Sequence, residues 1–499
     1  MSLMGIDVGT TGCKAAVFDE AGTMLSLQYR EYDVARPQPR TAELDASAVW
    51  EAIKEVIRGA LSENGASRDL RAISVASMGE NLVPVSRERR ILGPSILNVD
   101  YRGEEYLAAL RTGCSDERLY QINGNTWGNQ YSLPKLMWIR EHQPQLYEET
   151  YKFLHWGGFV TFMLGSEPHV DYALANRSLL FDLDNEDWSE ELLALGGIDR
   201  EKLPRTVASG VPTGHVDGRI AQELGIPAGL PLVNGSHDQC ANALGCGVTE
   251  AGMAMYGMGT FPTIVPVYDR RPDQTFMIGA GLNTEHHAVP GRFVSFIFHM
   301  GGSAIKWYRD TFAAEEHRQA RERGENVYER LFREMPDQPS DVLVLPRFAP
   351  MGPPDFEDIP NAAMMGLSLE TTRGEILKGI VEGNTLAHSL VVENLPEAGI
   401  DISEYTVVGG GSRSDNSVQI AADILGRPMV RSNVVEAGAF GAALLAGLGI
   451  GTYGSFSEAA GIARSVSGQV FEPDPQRHQQ YREKLAAYRE LRGFVARSM

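Results

Sequence analysis

Two Gly-Thr pairs set 250 positions apart, Gly9-Thr10 and Gly259-Thr260, constrain this chain more than any other feature. Each lies between two runs of strand-forming residues. Ile6 and Val8 lead into the first and Ala15-Ala16-Val17-Phe18 follows it; the second sits inside the tract Ala254 to Val267. Both read as β-hairpins. The spacing is far beyond any tandem-repeat period, so it predicts two related halves. Facing each other across a cleft, the two hairpins would hold opposite ends of a polyphosphate. Glycines in a turn let a phosphate approach backbone N–H groups. Thr10 and Thr11 add hydroxyl donors and Lys14 adds a cation. Asp7, just before the turn, can hold Mg²⁺ directly or through water. The competing reading is a plain surface hairpin.

Length and charge narrow the class. A chain of 499 residues is long enough for more than one domain, each with its own core. With 45 basic and 65 acidic residues, its formal charge of −20 argues against nucleic acid or an anionic membrane as partner. Any phosphate must then be met by backbone N–H groups, a metal or a few placed cations. Asp7, Lys14 and Asp19 interrupt the N-terminus, so no secretory signal is expected. The longest apolar tract, Ala437 to Gly451, is too short for a membrane span. The scattered Cys13, Cys114, Cys240 and Cys246 show no zinc-site spacing and suit a reducing cytoplasm.

The segment Pro231 to Gly247 reads as strand, turn at Asn234-Gly235-Ser236, and helix. Asp238 falls where the helix begins. There a carboxylate points out of a sheet end, where open α/β folds bind ligands, and it can take a proton from a hydroxyl. Alternatively it only caps the helix. Upstream, Thr41 to Leu61 contains a helix that Asp45 or Ser47 can cap, with Val49, Ile53, Val56, Ile57 and Leu61 on one face. Arg71 to Val85 reads as a strand that breaks at Ser77-Met78-Gly79-Glu80-Asn81, and Pro94 to Arg102 as a short run ending in Asp100 and Arg102. Glu80, Asp100 and Arg102 are material for a sugar pocket, or else a structural ion pair. Gly214 to Leu224 reads as helix, and Leu343 to Met365, rich in proline, as loop.

In the second half, Phe293 to Thr311 reads as strand, Gly301-Gly302 break and helix, and Thr372 to Leu395 as a long helix. Tyr405 to Met429 has a strand ending at Val408, then Gly409-Gly410-Gly411, then a helix capped by Ser414 or Asp415. A glycine turn feeding a helix suits a nucleotide. It is neither a Walker loop nor a GxGxxG fingerprint. The small residues of Glu436 to Leu448 require close packing, against another helix or a nucleotide base.

In order and spacing, GIDVGTTGCK, GSHDQCANALG, GMGT and GGGSRSDNSVQIAADILGRPMV resemble the four motifs of the FGGY carbohydrate kinases. The resemblance runs from Gly5 to the C-terminal helix. It implies an α/β chain of two ribonuclease H-like (actin-like ATPase) domains with an interdomain cleft. Residues 1–246 would form the N-terminal, sugar-binding domain and 247–499 the C-terminal, nucleotide-binding domain. It further implies ATP and Mg²⁺, a small-molecule sugar or polyol substrate, and permits a homodimer. By motif position, Asp238 would be the catalytic base and Asp7 the metal residue. Gly9, Thr10, Thr11, Lys14, Gly259 and Thr260 would serve the phosphates. Gly302, Lys306, Gly410, Gly411 and Asn416 would lie near the nucleotide. Glu80, Asp100, Arg102 and Gln239 would face the sugar.

Departures from the family pattern bear on the acceptor. Met78-Gly79-Glu80-Asn81 stands where xylulose kinases carry Gln-Met-His-Gly, so Glu80 replaces a histidine. Glycerol kinases have an Arg-Glu pair there, of which only Glu80 remains, after Gly79. Their Trp-Asn-Asp run becomes Asn98-Val99-Asp100, and His237 before Asp238 is typical of neither. The expected reaction is phosphorylation of a hydroxyl of a small sugar, first a ketose such as xylulose or a related pentulose. A glycerol-type polyol and an aldonate are the alternatives. Rivals of another class are an actin- or chaperone-like ATPase switch and a non-catalytic sugar-binding regulator.

Overall fold

The computed structural model describes residues 1–62, 69–259, 261–299, 301–348 and 361–497. Two mixed sheets organise it, and they share one plan. The first begins with the antiparallel hairpin Ser2–Val8 and Gly12–Asp19. Met24–Glu31 extends it on the hairpin side. On the other side Ser2–Val8 pairs in parallel with Leu70–Ser77, which pairs in parallel with Pro231–His237. The antiparallel edge strand Pro212–His215 closes it. The second sheet repeats this. Met253–Gly257 and Thr263–Tyr268 form the hairpin, Glu404–Val408 and Met429–Ser432 follow in parallel, and Ser467–Phe471 closes antiparallel. Alternating parallel strands and helices produce this two-faced α/β architecture.

Local sequence explains most elements. The helix Ala46–Ser62 buries Val49, Ile53, Val56, Ile57 and Leu61 as the period requires. The helix Arg373–Val392 starts with a complete capping box, Thr372 and Glu375 exchanging hydrogen bonds with each other's backbone. Thr372→Ala is expected to cost about 1 kcal/mol, read as an earlier urea midpoint.

Three segments differ from expectation. Pro231–His237 does not turn at Asn234-Gly235-Ser236; it stays a strand, with a register shift between Val233 and Ser236. A Cβ on Gly235 would lie 1.8 Å from the Val75 carbonyl oxygen, so the glycine permits close approach to the neighbouring strand. The stretch read as a helix from Gly214 holds the edge strand Pro212–His215 before the helix Gly218–Leu224. Within the stretch read as loop, Leu343–Leu345 pairs with Ala363–Met365; residues 349–360 lie outside the described residues.

The helices Asp238–Gly245 and Ala437–Gly449 follow equivalent strands of the two sheets and pack on each other. The second also lies across Ser2–Val8, Leu70–Ser77 and Pro231–His237 of the first sheet. Its small residues are therefore used against helix and sheet. All four cysteines are buried and free. Among the described residues, no helix is long and apolar enough to cross a membrane.

Candidate active site

The three parallel strands of the first sheet end side by side, and their ends carry the polar cluster. Asp7 lies one residue before the end of Ser2–Val8. Gly79 and Glu80 follow Leu70–Ser77, and Asp238 follows Pro231–His237. Asp238 is the first residue of its helix, while the cap position belongs to His237, which makes no side-chain cap. The base position is thus distinct from the cap. Burial first, then the charges of Asp7 and Glu80, push the Asp238 carboxyl up to about 7 against hydrogen bonds from Gln239. Burial raises Asp7 to about 6, opposed by Lys14 and aided by Glu436. Removal from water disfavours the charged form of each acid.

His237 Nε2 lies 3.3 Å from Asp238 Oδ1. Burial, with Arg177 and His155 nearby, holds this imidazole neutral by lowering its pKa well below the usual histidine value. A neutral ring can donate Nε2–H to the carboxylate and fix its orientation. The ring also packs on Phe296, with centroids 5.0 Å apart.

Glu80 sits at φ +58°, a left-handed conformation unusual for a residue with a side chain. Arg177 holds it there. Arg177 Nε and Nη2 both donate to Glu80 Oε1, and Nη1 donates to Glu285 Oε1 at 2.6 Å. A Cβ on Gly79 would meet His237 at 3.0 Å and the Arg177 side chain at 3.1 Å. The arginine therefore packs over the glycine that precedes Glu80. Nothing in the local sequence marked Arg177 or Glu285. The available signal was a cation inside the apolar run Tyr172 to Phe181 and an acid inside Asn283 to Val289.

Asp100 and Arg102 form a closed pair. Arg102 Nε and Nη2 bind Asp100, its Nη1 binds Glu43 at 2.6 Å, and the Ala42 N–H donates to Asp100. This is the ion-pair arrangement named above as the alternative to a sugar contact.

At the first hairpin the Gly9 N–H donates to the Gly12 carbonyl, closing the turn. Thr10 lies against Met78, and Thr11 is exposed. Lys14 is not free: its Nζ is 2.6 Å from Glu436, just ahead of the helix Ala437–Gly449. At the second hairpin Gly259 is exposed and Thr260 lies outside the described residues. The glycine loop touches this tip: the Gly411 N–H donates to the Met258 carbonyl at 2.8 Å. Gly410 is open, and so is Asn416 on the following helix Asp415–Leu425, capped by Ser414. Gly302 opens the helix Gly302–Phe312, on which Lys306 is exposed.

Comparisons with known proteins identify the family and the fold. The model of the FGGY family of carbohydrate kinases, N-terminal domain, matches residues 2–245, and that of the C-terminal domain matches residues 283–450. The chain belongs to this family. A glycerol kinase of Bordetella parapertussis is 30% identical over 486 residues, covering 94% of this chain and 92% of the relative. The structure of xylulose kinase from Rhodospirillum rubrum superposes with a TM-score of 0.87 at 24% identity, covering 99% of both chains. The Plasmodium falciparum glycerol kinase with ADP gives 0.84 at 18% identity, covering 98% and 97%. The two sheets are the halves of the actin-like ATPase fold. This FGGY chain is a sugar or polyol kinase, a phosphotransferase with a hydroxyl as acceptor and ATP as the family's phosphoryl donor.

Proposed function

We propose that the chain transfers the γ-phosphoryl group of ATP to a hydroxyl of a small ketose such as xylulose or a related pentulose. The observation that carries the mechanism is Asp238, a carboxyl with a near-neutral pKa at the end of a central parallel strand. A base poised near the working pH takes a hydroxyl proton efficiently. Gln239 holds the carboxylate, His237 Nε2 lies 3.3 Å from it, and Glu80 offers an acceptor to the sugar. The hairpin around Gly9, Thr10 and Thr11 presents backbone and hydroxyl donors to phosphate oxygens. Gly259, Gly410 and Gly411 leave room for nucleotide, with Gly302, Lys306 and Asn416 beyond them. Positioning and charge neutralisation supply most of the catalysis in such transfers. A glycerol-type polyol is the second acceptor reading, favoured by Glu80 and the glycerol kinase relative.

The residues fit Mg²⁺. Among the described residues no group of three or more His, Cys, Asp or Glu could form a protein-only metal cage. Asp7 instead offers one oxygen donor beside Asp238, as suits an ion that keeps waters and takes phosphate oxygens. Asp7 would hold the ion, whose chemistry is neutralisation of developing phosphate charge. Asp7→Asn is expected to raise the Mg²⁺ concentration for half-maximal activity by about 10–100-fold, measured by titration.

Coupled measurement of ADP release across ketoses, polyols and glycerol tests the acceptor. A pentulose should stimulate turnover well above the sugar-free rate. Glycerol as the best acceptor would replace the ketose reading with the polyol one. Steady hydrolysis that no acceptor stimulates would favour the ATPase switch.

A further inference from the structure

Around the base, the basic side chains are already occupied. Lys14 is paired with Glu436, and Arg102 with Asp100 and Glu43. Lys135 donates to the carbonyls of Asp100 and Arg102 at 2.6 and 2.8 Å. Arg177 is shared between Glu80 and Glu285, so that cluster keeps a net negative charge. Arg177 also lines a small recess with Tyr131, Asn283, Phe296, Thr126 and Phe298. Phe296 joins the recess to the His237 ring, which adjoins Asp238.

The cluster also contains buried polar atoms without protein partners. Both side-chain atoms of Asn81 are buried and unpaired, and Asn81 follows Glu80 directly. Glu285 Oε2 is buried and unpaired as well. A buried unpaired donor or acceptor is costly, so such atoms call for a water molecule or a ligand hydroxyl that completes them. A hydroxyl donates and accepts, so a polyhydroxylated molecule can satisfy both kinds. A carboxylate only accepts. An aldonate's hydroxyls can still donate to Glu285 Oε2 and the Asn81 oxygen, but its carboxylate finds the nearby cations already paired and places like charges together.

We propose that the Glu80–Arg177–Glu285 cluster makes the acceptor site selective for neutral polyhydroxylated molecules and against aldonates and other anionic sugars. This rests on the kinase reading and narrows it. Arg177 acts as a positioning residue. It cancels part of the carboxylate charge, holds Glu80 in its left-handed conformation, and has committed its charge to Glu80 and Glu285. Selectivity follows because an anionic group would meet the net negative charge of this cluster, whose arginine is already shared between two carboxylates.

The test uses the unaltered enzyme with ATP and Mg²⁺. Each ketose or polyol is compared with an aldonate of the same hydroxyl configuration, and kcat/KM is measured for both. The neutral member is expected to win by at least about 100-fold. Glu285→Gln, which returns part of the arginine's charge, should narrow that ratio about tenfold or more, mainly through the aldonate KM. An aldonate turned over as well as its neutral counterpart overturns the selectivity while leaving the kinase reading intact. A panel in which no acceptor of either charge is phosphorylated overturns the kinase reading and this inference with it. The wild-type ratio decides even where the variant fails to fold.

Discussion

Asp238→Asn is expected to cut acceptor-dependent kcat by about 10²–10⁴-fold, the range a positioned general base supplies, while ATP binding persists. The amide keeps the shape of the carboxylate and its place at the start of the helix, so the loss would be chemical. A variant with wild-type turnover would show that Asp238 is not the base. The stability of the same variant provides a second readout. In the folded free enzyme the Asp238 carboxyl is raised from 3.8 to about 7, chiefly by burial. Between those values the folded chain holds a proton that the unfolded chain has released. Stability therefore falls as pH rises through this window, and the loss is complete above about pH 7. The ceiling is about 4 kcal/mol at 1.36 kcal/mol per pH unit, lowered by the 26% exposure of the side chain. Asp238→Asn removes that slope, so the variant should melt at a higher temperature than wild type at pH 8 and at nearly the same temperature at pH 4. The wild-type kcat/KM should rise toward pH 7 as the base ionises, and metal and nucleotide are expected to shift that limb to lower pH.

The parts of this site that were legible in sequence are the local ones. The two hairpins are visible because glycine and threonine interrupt apolar runs, and the strand-to-helix passage at Asp238 because periodicity changes there. Asn234-Gly235 misled for the same reason. It is a strong turn signal by itself, but the Val75 backbone pressing on Gly235 makes it an irregularity within a strand. Contacts distant in sequence could not be read this way. Arg177 meets Glu80 across 97 positions and Glu285 across 108, and Lys14 meets Glu436 across 422. No local pattern pairs such residues. Asp100 and Arg102 show the converse: two residues apart, they look like ligand contacts in a line of text and close on each other in space.

Gly441→Ala is expected to be strongly disruptive for so conservative a substitution. A Cβ there would lie 1.9 Å from the Ala241 carbonyl oxygen, and one on Gly245 would lie 2.1 Å from the Ala437 oxygen. Gly5 meets the Ala439 oxygen at 1.7 Å by the same measure. These obstacles are backbone, so no rotamer change relieves them. The helix Ala437–Gly449 would have to move away from both Asp238–Gly245 and the first sheet. Overpacking of this kind costs about 1–3 kcal/mol, occasionally more, and should appear as a lower melting temperature. The functional loss should exceed the stability loss. The helix Asp238–Gly245 carries the base at its first residue, and Gly438 of the opposing helix adjoins Asp7, with its Cβ position 3.0 Å from Oδ2. Separating the two helices by about 1 Å would misplace Asp238 relative to Asp7, and such an error costs about 10²-fold in rate. Gly461→Ala is the control. That glycine is exposed inside the helix Phe456–Ser465, with nothing within 4 Å of its Cβ position. Helix propensity alone should make it stabilising by about 0.5–1 kcal/mol, with turnover unchanged. If Gly441→Ala behaved like Gly461→Ala, the close helix contact would not be what holds the two carboxylates in register.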